Sequence, residues 1–143
     1  MIKVYLPLFL LAFFCFSSCD ESPKIDFHSF QELSQYDFIR NGWFPEILQN
    51  DACNIQETYD INNKHIFGKF DFIEKSKYDS IISTCLLVPM DSLIEHMEKI
   101  NKPKYPQWFI PKDDLNNSRY FVVKQKEFYL IIERDKSRIY YVR

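Results

Sequence analysis

Apolar positions along this chain recur with several different spacings, and each spacing predicts a different kind of element. Ser29-Phe30-Gln31-Glu32 has the spacing of a capping box, so a helix is expected to begin near Ser29. Phe30, Leu33, Tyr36 or Asp37, and Phe38–Ile39 would give it a ragged apolar face, and Asn41-Gly42 would stop it, with glycine free to take the left-handed position. Pro45 then forces Phe44 out of the helical region, so Trp43-Phe44-Pro45 is expected to be extended. From Cys53 to Phe72 the pattern alternates with period two around Asn62-Asn63, which reads as a hairpin turn. That register pairs Tyr59 with Ile66, Glu57 with Gly68, Ile55 with Phe70 and Cys53 with Phe72 on a largely apolar face. Asp60–His65, Thr58–Phe67 and Gln56–Lys69 fall on the other face. Glu57 is the one acid on the apolar side.

Helical spacing returns at Ser76, with Tyr78, Ile81, Ile82 and Cys85 along one side and Pro89 as the end. It returns again with Asp91 as the expected cap, and Leu93, Met97 and Ile100 at i, i+4 and i+7 before Pro103. Tyr120–Gln125, Phe128–Glu133 and Ile139–Val142 are rich in β-branched and aromatic residues and read as strands, with residues 133–137 as the last hairpin loop. The expected fold is α+β, with about five antiparallel strands in one sheet and roughly three helices covering one face.

Val4 to Phe16 is a continuous apolar run, too short to cross a bilayer, which takes roughly 20 apolar residues. Lys3 precedes it, and the small residues Ser17 and Ser18 follow, ahead of Cys19. This layout resembles a bacterial lipoprotein signal peptide, with Phe16 where a leucine is usual. The resemblance implies cleavage after residue 18 and attachment of diacylglycerol and amide-linked acyl chains to Cys19. Each buried methylene contributes about 0.8 kcal/mol, so several chains together hold a protein on a membrane without spanning it. Residues 1–18 are then a removed signal, 19–27 the lipidated cysteine and a short polar tether, and 28–143 a single globular domain. The localisation expected is the cell envelope, with the outer membrane or cell surface favoured over the inner membrane; Asp20-Glu21 beside the cysteine suits more than one leaflet.

Removing the signal leaves about 125 residues, one domain by size. The whole chain carries a net charge of −2, and its one signal-segment cation is Lys3, so no basic patch for nucleic acid is expected. With only two glycines, Gly42 and Gly68, a Gly-rich phosphate loop is excluded. Cys15 leaves with the signal and Cys19 takes lipid, so Cys53 and Cys85 are the candidate disulfide, closing a loop of about 33 residues worth roughly 3–4 kcal/mol. Two buried thiols are the alternative.

Arg40-Asn41-Gly42-Trp43-Phe44-Pro45-Glu46-Ile47-Leu48, followed by Asp51–Glu57 and Asp60-Ile61-Asn62-Asn63-Lys64, resembles a pattern found in small bacterial lipoproteins of unassigned activity. In them a Gly-Trp-apolar-Pro block precedes a "dldtn"-type hairpin; here Gln49 replaces a second proline. The resemblance implies a lipoprotein and a related fold, and brings no chemistry with it.

The candidate chemistry is sparse. His28, His65 and His96 lack metal-ligand spacing, so no metal or cofactor is expected. A cysteine–histidine nucleophile would need an exposed thiol of lowered pKa, which predicted burial opposes. Glu57 must be paired, have its pKa raised, or sit at the sheet margin; backbone amides of Trp43–Pro45 or the Arg40 side chain are the expected partners. Trp43, Phe44, Trp108 and Phe109, together with Glu57, are the candidate binding surface. The function expected is a non-enzymatic, lipid-anchored domain that binds another envelope protein, for assembly or protection. The alternatives are a glycan- or peptidoglycan-facing module using the tryptophan blocks, or a small envelope hydrolase centred on Glu57.

Overall fold

A computed structural model describes residues 23–60, 63–100 and 105–143. The signal segment 1–18, the lipidation site Cys19, the turn residue Asn62 and the helix stop Pro103 lie outside the described residues. The strands are β1 (Lys24–Ser29), β2 (Ala52–Asp60), β3 (His65–Phe72), β4 (Leu86–Val88), β5 (Tyr120–Gln125), β6 (Phe128–Glu133) and β7 (Arg138–Val142). The helices are α1 (Phe30–Leu33), α2 (Lys75–Ile82) and α3 (Met90–Lys99), with a 3₁₀ turn at Lys112–Asp114. Among the described residues the strands form one antiparallel sheet in the order β1-β2-β3-β7-β6-β5-β4. The fold is α+β.

Seven strands replace the five or so expected, and both additions are edges. In β1 only Ile25 and Phe27 alternate with Lys24, Asp26 and His28, too few apolar positions to separate a strand from a tether. Residues 24–27, assigned to the tether on sequence, therefore belong to the sheet. β4 is a three-residue apolar run before Pro89 that reads as the tail of the preceding helix. In fact α2 stops at Ile82, and a turn in which the Cys85 amide donates to the Ile82 carbonyl separates the two. The last helix begins at Met90 with Pro89 at its cap, so Asp91 lies in its first turn and does not cap it.

The cover is also two-sided. β6 and β7 are apolar at consecutive positions, which buries both of their faces. One face packs Ile55, Phe70, Leu130, Ile132, Ile139 and Tyr141 under α1, α2 and residues 34–51. The other packs Val122, Ile131, Tyr140 and Val142 under α3 and the segment around Phe109 and Leu115. Helices on one face alone are thus corrected to helices on both.

The segment between α1 and β2 is a strap across the first face. Ser29 caps α1 as expected, its Oγ accepting from the Glu32 amide at 3.2 Å, while the Glu32 carboxylate accepts from the His28 amide at 2.9 Å. The helix lasts one turn instead of continuing to Asn41. A second turn, ending at Gly42 with φ of 69°, closes with the Trp43 amide donating to the Phe38 carbonyl and the Gly42 amide to Ile39. That is the paired 6→1 and 5→2 pattern of a helix end, with glycine in the left-handed position.

The central hairpin keeps its expected register from Gln56–Lys69 to Asp60–His65. A bulge between Cys53 and Gln56 then moves Cys53 opposite Asp71 and Ala52 opposite Phe72, one residue from the expected pairing of Cys53 with Phe72. The extra residue is accommodated by Asn54, whose φ is 51°. Its side-chain amide donates to Asp71 at 3.1 Å, and Arg138 on β7 grips the same carboxylate through Nε at 2.6 Å and Nη2 at 3.0 Å. Burial alone would raise the Asp71 pKa, but the hydrogen bonds from Arg138 and Asn54 outweigh it and hold it below the usual value. Arg138→Ala is expected to lower the unfolding free energy by about 1–2 kcal/mol, measured by urea denaturation at neutral pH.

Candidate functional site

Antiparallel register sets Ile25, Glu57, Gly68, Tyr141, Leu130, Val123 and Leu87 in one row across the sheet, on the face covered by the strap. Glu57 is 0 % exposed. Between it and Tyr141 stands Gly68, where an added Cβ would lie 1.9 Å from the tyrosine ring. The missing side chain is what lets the ring lean across β3, so that Tyr141 Oη donates to Glu57 Oε2 at 2.6 Å. Glu57 Oε1 has no hydrogen-bond partner among the described residues. Burial raises the Glu57 pKa to about 8, against the lowering effects of the Tyr141 hydrogen bond and the Arg143 charge. Burial and the neighbouring Glu57 likewise push the Tyr141 hydroxyl well above its ordinary value.

The partner of Glu57 is therefore neither Arg40 nor an amide of Trp43–Pro45. Arg40 is exposed and pairs with Asp37 at 3.6 Å. Sequence reasoning singled out Glu57 but missed Tyr141, since nothing local signals a contact formed across two strand pairings. Gly68 was the available sign: a glycine inside a strand often marks close approach by another chain segment.

The aromatic blocks do not form a common surface. Phe44 and Phe109 are core residues, each 4 % exposed. Trp43 is half-buried and meets Tyr59 edge-on at 4.9 Å, against the strap-side core. Trp108 packs on the opposite face, with Lys69 Nζ 5.4 Å above its ring. In each block the tryptophan is half-buried and the phenylalanine after it is core, and the two blocks lie on different sides of the sheet.

Cys53 and Cys85 are both thiols, not joined to one another. Burial, then Asp71 and Asp51, pushes the Cys53 thiol up, and burial raises Cys85 despite a hydrogen bond involving Thr84. Neither environment favours a thiolate. His96 stacks on Tyr129 at 4.8 Å and is half-buried; burial, then His65, Lys124 and Lys99, lowers its pKa. Among the described residues no group of histidine, cysteine or acidic side chains is placed to hold a metal ion, and no helix is long and apolar enough to cross a membrane.

A cleft of about 530 Å³ opens between the strap and the β5–β6 turn. Its apolar wall comes from Phe44, Leu48 and Phe128, and Arg143 lines it from the sheet. The Gln125 side-chain carbonyl accepts from the Ile47 amide at 3.1 Å, and Lys126 pairs with Glu46, so the turn and the strap are tied together beside the opening. Glu57 does not line this cleft.

Residues 21–71 match the family model described as the YbbD head domain, a stretch covering β1, the strap, β2 and β3 up to Asp71. The chain is similar to that family over this half-sheet, while β4 to β7, including Tyr141 and Arg143, lie beyond the match. No curated protein and no solved structure matches the chain.

Proposed function

We propose that this chain is a lipid-anchored extracytoplasmic domain that acts by binding another protein at the cell envelope, without catalytic chemistry of its own. The anchor reading rests on the apolar run Val4–Phe16 followed by Ser17, Ser18 and Cys19, and the outer membrane or cell surface is the favoured location. The observation that carries the binding reading is the outer edge of β4. Leu86 and Leu87 are 69 % and 68 % exposed on a strand that closes the sheet order, with β5 on its inner side. Free strand edges recruit other chains, and folded proteins usually guard them with charge. The opposite edge is guarded in this way by Lys24 and Asp26, whereas β4 carries no charge at all. An extended partner segment added to β4 would gain main-chain hydrogen bonds and cover a leucine on each face.

The buried state of Glu57 supports the non-enzymatic part of the reading. Its Oε2 accepts from Tyr141 inside the core, and the residue does not line the cleft.

The test uses the full membrane-anchored chain in its own cells, with a photoreactive residue at Leu87 or, as a control, at exposed Glu95. A discrete protein adduct from position 87, not obtained from position 95, is the expected result. Adducts alike from both positions, or none from 87, would overturn the edge as a docking site. In the same cells Cys19→Ser is expected to move the chain from the membrane to the soluble fraction; retention on the membrane would remove the anchor from the reading.

A further inference from the structure

The cleft under the strap has a different chemistry from the β4 edge. Main-chain pairing continues one residue past β7: the Arg143 amide donates to the Ile66 carbonyl at 3.0 Å, and the Ile66 amide donates back at 3.1 Å. Period two then places the Arg143 side chain on the strap side of the sheet, next along from Tyr141. There Nη1 donates to the Gly42 carbonyl at 2.8 Å, and Cζ sits 5.3 Å over the Phe128 ring. The guanidinium is thus fixed from two directions in a side chain only 25 % exposed. Its ion pair with Glu127 is long, 4.0 Å to a side chain 79 % exposed, and among the described residues its remaining interaction with a carboxyl is the one with buried Glu57, across the core side. A guanidinium has five donors in a rigid fork, and one immobilised beside an apolar wall is suited to a carboxylate.

The rest of the lining says what that carboxylate should be attached to. Phe44, Leu48 and Phe128 offer an apolar wall within a cleft of about 530 Å³, room enough for one bulky apolar group and the carboxylate beside it. Arg40, loosely paired with Asp37 at 3.6 Å, also lines the cleft and adds a cation to it. Glu46, the other acid lining the cleft, is already paired with Lys126.

We propose that this cleft binds the carboxyl terminus of a peptide ending in a bulky apolar residue. Arg143 receives the terminal carboxylate, and the last side chain lies against Phe44, Leu48 and Phe128. Recognition of a chain terminus in this way needs no strand edge, so the site is independent of β4.

The probe is a tetrapeptide, acetyl-Ala-Ala-Leu-Phe, offered to the full chain by titration calorimetry as the free acid and as the C-terminal amide. The acid is expected to bind at least tenfold more tightly than the amide. Arg143→Gln should abolish that difference, and Arg40→Gln, at an exposed side chain where misfolding is no concern, should weaken the acid about threefold. Leu87→Lys should leave both affinities unchanged, which separates failure of this site from failure of the β4 edge. Equal binding of acid and amide would overturn the proposal, as would no heat at millimolar peptide. Tighter binding of dodecanoate than of the peptide acid would overturn the peptide assignment in favour of a fatty acid.

Discussion

Gly68→Ala is expected to destabilise the protein by about 3–5 kcal/mol, which for a domain of ordinary stability is a large share of the total. The new Cβ would meet Tyr141 at Cζ, Oη and Cε1, at 1.9, 2.2 and 2.3 Å. A tyrosine tip can often swing aside, but this one is caged. The residue is 0 % exposed, and its ring is surrounded by Phe44, Phe70 and Phe128 with centroids 6.3, 6.0 and 5.8 Å away. Any displacement also breaks the 2.6 Å hydrogen bond and leaves Glu57 buried without its partner. Urea denaturation gives the value, and a double-mutant cycle gives the cause. Tyr141→Leu opens space over Gly68, so adding Gly68→Ala to it should cost under about 1 kcal/mol. A loss below about 1 kcal/mol for the single alanine variant would show that the cage yields.

Glu57→Gln is expected to change how stability depends on pH more than any other single substitution. The native Glu57 keeps its proton until about pH 8, whereas in the unfolded chain it releases it near the ordinary value of 4.5. Because the folded pKa is the higher one, this group's contribution is complete below pH 4.5 and is lost as pH rises through 8. Between those limits the native state holds one more proton than the unfolded state. Stability should therefore fall by about 1 kcal/mol per pH unit, a few kcal/mol in all. Glutamine cannot ionise, and its carbonyl can still accept from Tyr141. The variant should match the parent near pH 5 and exceed it by about 3 kcal/mol at pH 9. Denaturation curves at the two pH values decide the matter; equal slopes against pH would mean that Glu57 ionises in the native state as it does in water.

What the sequence revealed and what it hid divide along the range of the interactions involved. The central hairpin was legible because one alternating pattern and one turn determine its register. It stayed legible until the bulge at Asn54, which depends on Asp71 and Arg138 and has no local signature. Glu57 was recognisable as an anomaly, since an acid on an apolar face is visible in a single strand. Its partner was not, because Tyr141 reaches it only after β3 has paired with β7. The helix expected through residues 29–41 broke after one turn: Tyr36, Phe38 and Trp43 gain more by packing on one another and on Phe27 than by sharing a helical face. The cleft was invisible throughout. Its wall joins the strap to a turn some 80 positions further on, as the Glu46–Lys126 pair shows.

The last strand in chain order lies in the middle of the sheet. β7 joins β3 on one side to β6 on the other, so without residues 138–142 the fold is two unconnected three-stranded pieces, β1-β2-β3 and β6-β5-β4. A growing chain that has not yet released this stretch has no ring to lay over Gly68 and no hydroxyl for Glu57. Each piece also has an open inner border, so neither buries a complete core, and the non-local closure comes late. The order of synthesis thus leaves both pieces of the sheet open until residues 138–142 have emerged. If the proposed export and acylation at Cys19 hold, a chain whose halves stay open until then would reach the membrane still unfolded.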